Sequence, residues 1–266
     1  MDKSKYNILI MLNDSYIKFG IIFLNSLYKN TNIKNLNKII INDIGLCDSN
    51  KHMLHKYFNK IVYYESNKNI QVNKVHSDKW LQALTMKTKG LRKIIEKDEN
   101  IPVILMDTDM IILRDFDKFI DNTYDIQICK RRKITNRWDL PIKKLKYIAS
   151  FLIINTNNQK LMNFIDNWVS EIKDMYDKKL VPTYETPSLC KMIYKYQNEF
   201  KIGLLDEDKI STVNEYIQNK THILHYKSVG NNKDEDNGFI NRLKNIKNYD
   251  LNLALSYLNL NSKITN

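Results

Sequence analysis

The chain has 266 residues, 43% of them hydrophobic, enough to bury one large domain or two small ones. It carries 42 Lys and Arg against 30 Asp and Glu, a formal charge of +12, which favours anionic partners such as nucleotides and phosphates. Six glycines and four prolines exclude a flexible linker by composition, no apolar run approaches the ~18 residues of a membrane span, and the three scattered cysteines exclude a Cys-rich metal site.

Cys47, Cys129 and Cys190 are odd in number and far apart, which points to reduced thiols and a cytoplasmic-type compartment. The stretch Met1 to Asn7 leads into an apolar run too short for a signal-peptide core. The chain is rich in Lys, Asn and Ile, as AT-rich coding produces, and this suits a microbe or a virus working in a host cytoplasm. Much of the basic excess therefore reads as solvated lysine. No nucleic-acid motif stands out, and no nucleic-acid partner is expected.

Asn7 to Leu12 reads as a continuous apolar strand, and Asn13-Asp14-Ser15 then offers helix-capping chemistry. Ile17, Ile21, Leu24 and Tyr28 recur at helical spacing from Tyr16 to Lys29. This is the usual opening of a nucleotide-binding α/β domain. Lys38 to Asn42 and Lys60 to Tyr64 read as strands, with a helix capped by Asp48-Ser49 between them. His52 and His55 fall on that helix without a third ligand nearby, so a surface role is expected for them. Trp80 to Glu96 reads as an amphipathic helix able to aim one lysine at a phosphate, and Asp98 to Pro102 breaks it.

Val103 to Met106 then forms a short buried strand that ends in Asp107-Thr108-Asp109, followed by a second apolar run, Met110 to Leu113. Two acids at i and i+2 on a strand end can converge on one hard cation. Without a partner, such charges do not belong in a core. Tyr124 to Cys129 reads as a strand, the cationic run Lys130 to Lys133 as an exposed loop, and Thr135 to Lys146 as a loop over the site. Tyr147 to Asn155 is a strand, Gln159 to Met175 and Glu185 to Tyr196 are helices, and Ile202 to Leu205 and Thr221 to Tyr226 are short strands. A mostly helical tail follows Asp236-Asn237-Gly238. His225, at the end of its strand, adds an imidazole to the two carboxylates, a donor set suited to Mn²⁺ or Mg²⁺.

The order of these parts resembles the glycogenin-like family of retaining glycosyltransferases. It rests on Asn13 to Lys18 with Ser26-Leu27, on Lys87 four residues before Leu91, on Asp107-Thr108-Asp109 with its apolar flank and Phe116-Asp117, and on His225-Tyr226. The resemblance implies a GT-A fold, a mixed and mostly parallel sheet flanked by helices, over residues 1–235, with 236–266 as a helical tail packed on it. It implies a UDP-sugar donor, with Leu12, Asn13 and Tyr16 at the base. Lys87, Asp107, Thr108, Gly230 and Lys233 would lie along the rest of the donor, and Asp107, Asp109 and His225 would be the metal ligands. Glu185 is the expected catalytic carboxylate beneath the anomeric carbon. The sugar would pass to a hydroxyl of a glycan or protein, with retention, and an oligomer is left open.

The sequence departs from that family at Tyr147 to Ser150, at Glu185-Thr186-Pro187 where an acid is usually followed by Gln, and after His225, where Gly230 and Lys233 come late and Pro-Trp is missing. The rival readings are a nucleotidyltransferase making nucleotide sugars, which lacks its usual Gly-rich loop here, and a basic nucleic-acid-binding module.

Overall fold

The first strand, β1 (Tyr6–Leu12), is an interior strand of a seven-stranded sheet. The computed structural model describes residues 5–65, 70, 77–97, 101–135, 145–155, 158–180, 185–212, 217 and 219–226. In chain order β1 is followed by α1 (Ile17–Asn30), β2 (Leu36–Asp43), α2 (Asp48–Tyr57), β3 (Ile61–Glu65) and α3 (Asp78–Lys97). Next come β4 (Val103–Met106), β5 (Met110–Ile112), β6 (Ile126–Thr135), β7 (Leu145–Ile154), α4 (Gln159–Asp177) and α5 (Glu185–Tyr196). The last described strands are β8 (Ile202–Asp206), β9 (Ile210–Thr212) and β10 (Ile223–His225).

The large sheet has the order β3-β2-β1-β4-β7-β6-β8. β3, β2, β1 and β4 run parallel, β7 is antiparallel to both β4 and β6, and β8 is parallel to β6. This is the mixed, mostly parallel GT-A sheet. The strands are apolar at nearly every position because helices cover both faces. Leu9, Leu105, Ile128 and Leu152 pack on one face with Leu91 of α3, Trp168 of α4 and Ile193 of α5. Ile8, Ile10, Ile104 and Ile153 pack on the other with Ile21 and Phe23 of α1 and Leu54 of α2.

β5, β10 and β9 form a separate three-stranded sheet in that order. Side chains of α1 close the outer edge of β5: Ser26 Oγ accepts the N–H of Ile112 (3.0 Å), and Asn30 Nδ2 donates to the Ile112 carbonyl (2.7 Å).

The elements anticipated from sequence are present, and the differences have local causes. Asp48 lies inside the first turn of α2, while Cys47 is the N-cap and makes no side-chain cap bond. Asp14 answers that turn instead, its Oδ1 accepting from Cys47 N (2.9 Å) and Asn50 Nδ2 (2.8 Å). The cationic run is not a loop but the continuation of β6, and Thr135 pairs with Leu145 as β6 and β7 extend into a long antiparallel arm. Charge is tolerated on this strand because Lys130 and Arg132 are exposed to solvent. β9, three residues of no distinct pattern, was not anticipated. Residues 136–144, Gly230, Lys233 and the tail 236–266 lie outside the described residues.

Trp168 is fully buried, and its Nε1 donates to Ser188 Oγ (3.0 Å), joining α4 to α5. Trp168→Ala is expected to lower unfolding free energy by about 3–5 kcal/mol. Urea denaturation checks this, and a loss below about 1 kcal/mol would contradict the packing described.

Candidate functional site

The parallel sheet reverses its winding between β1 and β4: the chain first adds β2 and β3 on one side, then β4 on the other. Ligands of open α/β sheets bind outside the carboxyl ends of strands at such a switch point. Asn13 leaves β1 there, and Asp107 leaves β4. Asp107 N–H donates to the Ser150 carbonyl of β7 (3.1 Å), and Met110 N–H closes the turn on the Asp107 carbonyl (3.3 Å).

The turn sends both carboxylates toward His225. His225 Nε2 lies 3.5 Å from Asp107 Oδ2 and 3.2 Å from Asp109 Oδ1. Pairing of β10 with β5 puts His225 opposite Met110, and Tyr226 N–H donates to the Asp109 carbonyl (2.8 Å). The imidazole therefore reaches the acids through backbone hydrogen bonds rather than a flexible loop. Asp107 is 27% exposed, Asp109 15% and His225 8%.

The other oxygen of Asp107 faces inward. Its Oδ1 meets Lys87 Nζ at 2.5 Å, and the same ammonium meets Glu185 Oε1 at 2.8 Å. Lys87 is 3% exposed and comes from the buried face of α3; Glu185 begins α5. Burial opposes the charge on Lys87, but Asp107 and Glu185 outweigh it and raise its pKa above the ordinary lysine range. For Glu185 burial dominates and raises the pKa, Lys87 works against that, and Asp107 adds to it.

Three carboxylates answered by one ammonium leave two negative charges in this cluster when His225 is neutral. One donor atom from each of Asp107, Asp109 and His225 lies within 4.8 Å of the others. A divalent ion matches both the residual charge and this set of hard oxygens with one imidazole nitrogen. The residues present fit such an ion. His225 Nδ1 is buried and has no partner among the described residues.

The remaining residues singled out in the sequence fall around this cluster. Thr108 is buried within the turn. Leu12 is buried against Gly20, so its side chain belongs to the core and only its backbone reaches the strand end; its carbonyl accepts from Ile44 N (3.0 Å). Asn13 caps the short turn Asp14–Tyr16, its Oδ1 accepting from Tyr16 N (3.0 Å) and Ser15 Oγ (2.8 Å). Tyr16 packs against Phe19. Lys87 sits between two carboxylates, not open to solvent, because α3 aims it inward at the end of β4. His55 stacks edge-on with Tyr63, away from this cluster. The tether from Ser150 to Asp107 was missed in the sequence, since a backbone carbonyl leaves no residue signature.

A mixed α/β sheet with an acidic turn at its switch point is the architecture of GT-A glycosyltransferases. The chain belongs to the nucleotide-diphospho-sugar transferase family, whose model matches residues 44–235. It is a glycosyltransferase, moving a sugar from a nucleotide-sugar donor. Among solved structures it is similar to the galactosyltransferase LgtC in complex with donor and acceptor sugar analogues. That match has 10% identity and TM-score 0.55, and covers 84% of this chain and 87% of that one. It is also similar to mouse xyloside xylosyltransferase 1, with 11% identity and TM-score 0.53, covering 84% and 98% of the two chains. The glycosyltransferase GlyE of Streptococcus pneumoniae TIGR4 aligns at 15% identity and TM-score 0.55, over 85% of this chain and 55% of that one. No curated protein matches the chain by sequence. Among the described residues no helix is long and apolar enough to cross a membrane.

Removing the ammonium leaves two half-buried carboxylates facing each other. Lys87→Met is expected to cost about 3–5 kcal/mol at neutral pH. Glu185 has a raised folded pKa, so its contribution to stability is present below its unfolded pKa and is lost as pH rises through the folded value. Lys87 lowers the Glu185 pKa, so its removal raises that pKa further, the variant gains more than wild type on acidification, and the gap should narrow as pH falls through the carboxylate range. Denaturation midpoints across pH 4–7 measure this, and a pH-independent gap would contradict the ion-pair cluster.

Proposed function

We propose that the chain transfers a sugar from a UDP-linked donor to a hydroxyl group of a glycan, with retention, using a divalent ion held by Asp107, Asp109 and His225. The observation that carries this reading is the convergence of those three donor groups at the β1–β4 switch point. The ion, Mn²⁺ or Mg²⁺, supplies Lewis-acid stabilisation of the departing diphosphate when bound.

The chain's own residues do the rest. The end of β1, with Asn13 and Tyr16, receives the base; the amide nitrogen of Asn13 has no partner among the described residues and is available to donate. Lys87 holds Asp107 and Glu185 side by side and fixes which oxygen of Asp107 faces outward. Its ammonium is buried and held by two carboxylates, so in this reading it orients the acids instead of gripping a phosphate. Glu185 is the carboxylate placed to support positive charge on the anomeric carbon as the bond to the diphosphate oxygen breaks. The acceptor oxygen then bonds to that carbon, and its proton leaves with the diphosphate. Gly230 and Lys233 complete the donor site in this reading.

Calorimetric titration of UDP tests the donor and the metal together. Micromolar binding is expected with Mn²⁺, with loss in the presence of chelator and in Asp109→Ala. A folded sample that binds UDP equally well with chelator would sink the metal assignment, and one that binds under neither condition would sink UDP.

A further inference from the structure

β7 passes the acidic turn at Ser150 and does not stop there. Residues 145–149 continue beyond it, and β6 follows them, with Lys130 opposite Tyr147 and Thr135 opposite Leu145. Pairing is irregular at this point, with Ile128 opposite Leu152 but Cys129 opposite Ile148, so residues 149–151 bulge out of the ladder beside Asp107. The β6–β7 arm therefore overhangs the catalytic edge of the sheet. α5 runs alongside it: Cys190 Sγ is 3.9 Å from the Tyr147 carbonyl, and Glu185 lies a turn and a half earlier, about 7.5 Å along the helix axis.

Arg131 stands on this wall. Its Nε donates to the same Tyr147 carbonyl (3.3 Å), which fixes the plane of the guanidinium. The neighbouring Arg132 is answered, with its guanidinium against Asp208 and its backbone N–H on Glu207 Oε2 (2.8 Å). Arg131 is half-buried yet meets no carboxylate among the described residues, and exposed Lys130 beside it is also unpaired. A partly desolvated guanidinium keeps a planar fork of donors that matches a carboxylate or phosphate in bidentate fashion. The donor's own diphosphate is assigned to Asp107, Asp109 and His225, and Arg131 lies outside that cluster, on the strand that continues past the acidic turn.

We propose that the acceptor is an anionic glycan whose carboxylate or phosphate is held by Arg131, with Lys130 adding to the attraction. This rests on the glycosyl-transfer reading above, and Arg131 is a specificity residue within it.

The test is binding of a hyaluronan hexasaccharide, its carboxyl-reduced neutral counterpart and a phosphorylated oligomannose to the full chain, with donor hydrolysis followed in the same samples. Wild type is expected to bind one of the two acidic glycans at least about tenfold more tightly than the neutral one. Arg131→Gln should erase that difference without weakening the neutral ligand, and Arg131→Lys should keep part of it. The hyaluronan and oligomannose arms distinguish carboxylate from phosphate. Equal binding of acidic and neutral glycans by wild type overturns the proposal, as does an Arg131→Gln variant that weakens both alike. A uridine oligonucleotide that binds through Arg131 at physiological salt while the glycans do not overturns it in favour of nucleic acid. Hydrolysis without acid selectivity leaves glycosyl transfer standing and removes this proposal. Arg131-dependent selectivity without hydrolysis supports the anion site and sinks the transfer reading.

Discussion

A single buried ammonium organises the carboxyl end of this protein's sheet, where the candidate site lies. Lys87 is almost fully withdrawn from water and stays charged only because Asp107 and Glu185 flank it. The three residues come from the loop after β4, from α3 and from α5, so the ion pairs fasten three separately folded elements at one point. A charge buried this deeply tolerates little freedom in its partners, and that restraint fixes the direction in which Asp107 can present its second oxygen. The outer donors, Asp109 and His225, are held differently, by the backbone pairing of β5 with β10. Electrostatics sets the inner half of the site and hydrogen-bonded sheet sets the outer half.

The large sheet makes this arrangement accessible. Its parallel half brings the carboxyl ends of β1 and β4 together, and its antiparallel half, β7 and β6, carries the backbone past that edge. One side of the site is thus built from strand ends and turns, while the other is a projecting arm. The first favours close contact with a compact anionic group, and the second leaves room for a larger, extended ligand.

Much of this was legible in the sequence because it rests on local pattern. Continuous apolar strands such as Ile8 to Leu12, helical spacing through Ile17 to Tyr28, and an apolar run broken by Asp107 and Asp109 each have a physical cause that acts over a few residues. His225 was singled out because it ends a late strand and adds an imidazole to the two acids, and the structure brings its ring within 3.5 Å of both. What escaped was long-range. The pairing of Lys87 with Glu185 needs two helices whose packing angle the sequence does not state. The extension of β6 through Lys130 to Thr135 was masked by charge, since a strand with solvent-exposed charged positions has the composition of a loop. The cap at Cys47 was misassigned to Asp48 because the group that answers its N–H, Asp14, lies in a distant turn.

The union of β5 with β10 also has a consequence for biosynthesis. β5 leaves the ribosome early, with α1 covering one of its edges and the other unmatched until Ile223 to His225 has been made. A nascent chain can thus complete the hydrophobic layers around β1 and β4 while the imidazole is still untranslated. The acids would be poised but chemically silent through that interval. Such an order leaves the three-donor cluster incomplete until nearly all of the described chain has been made.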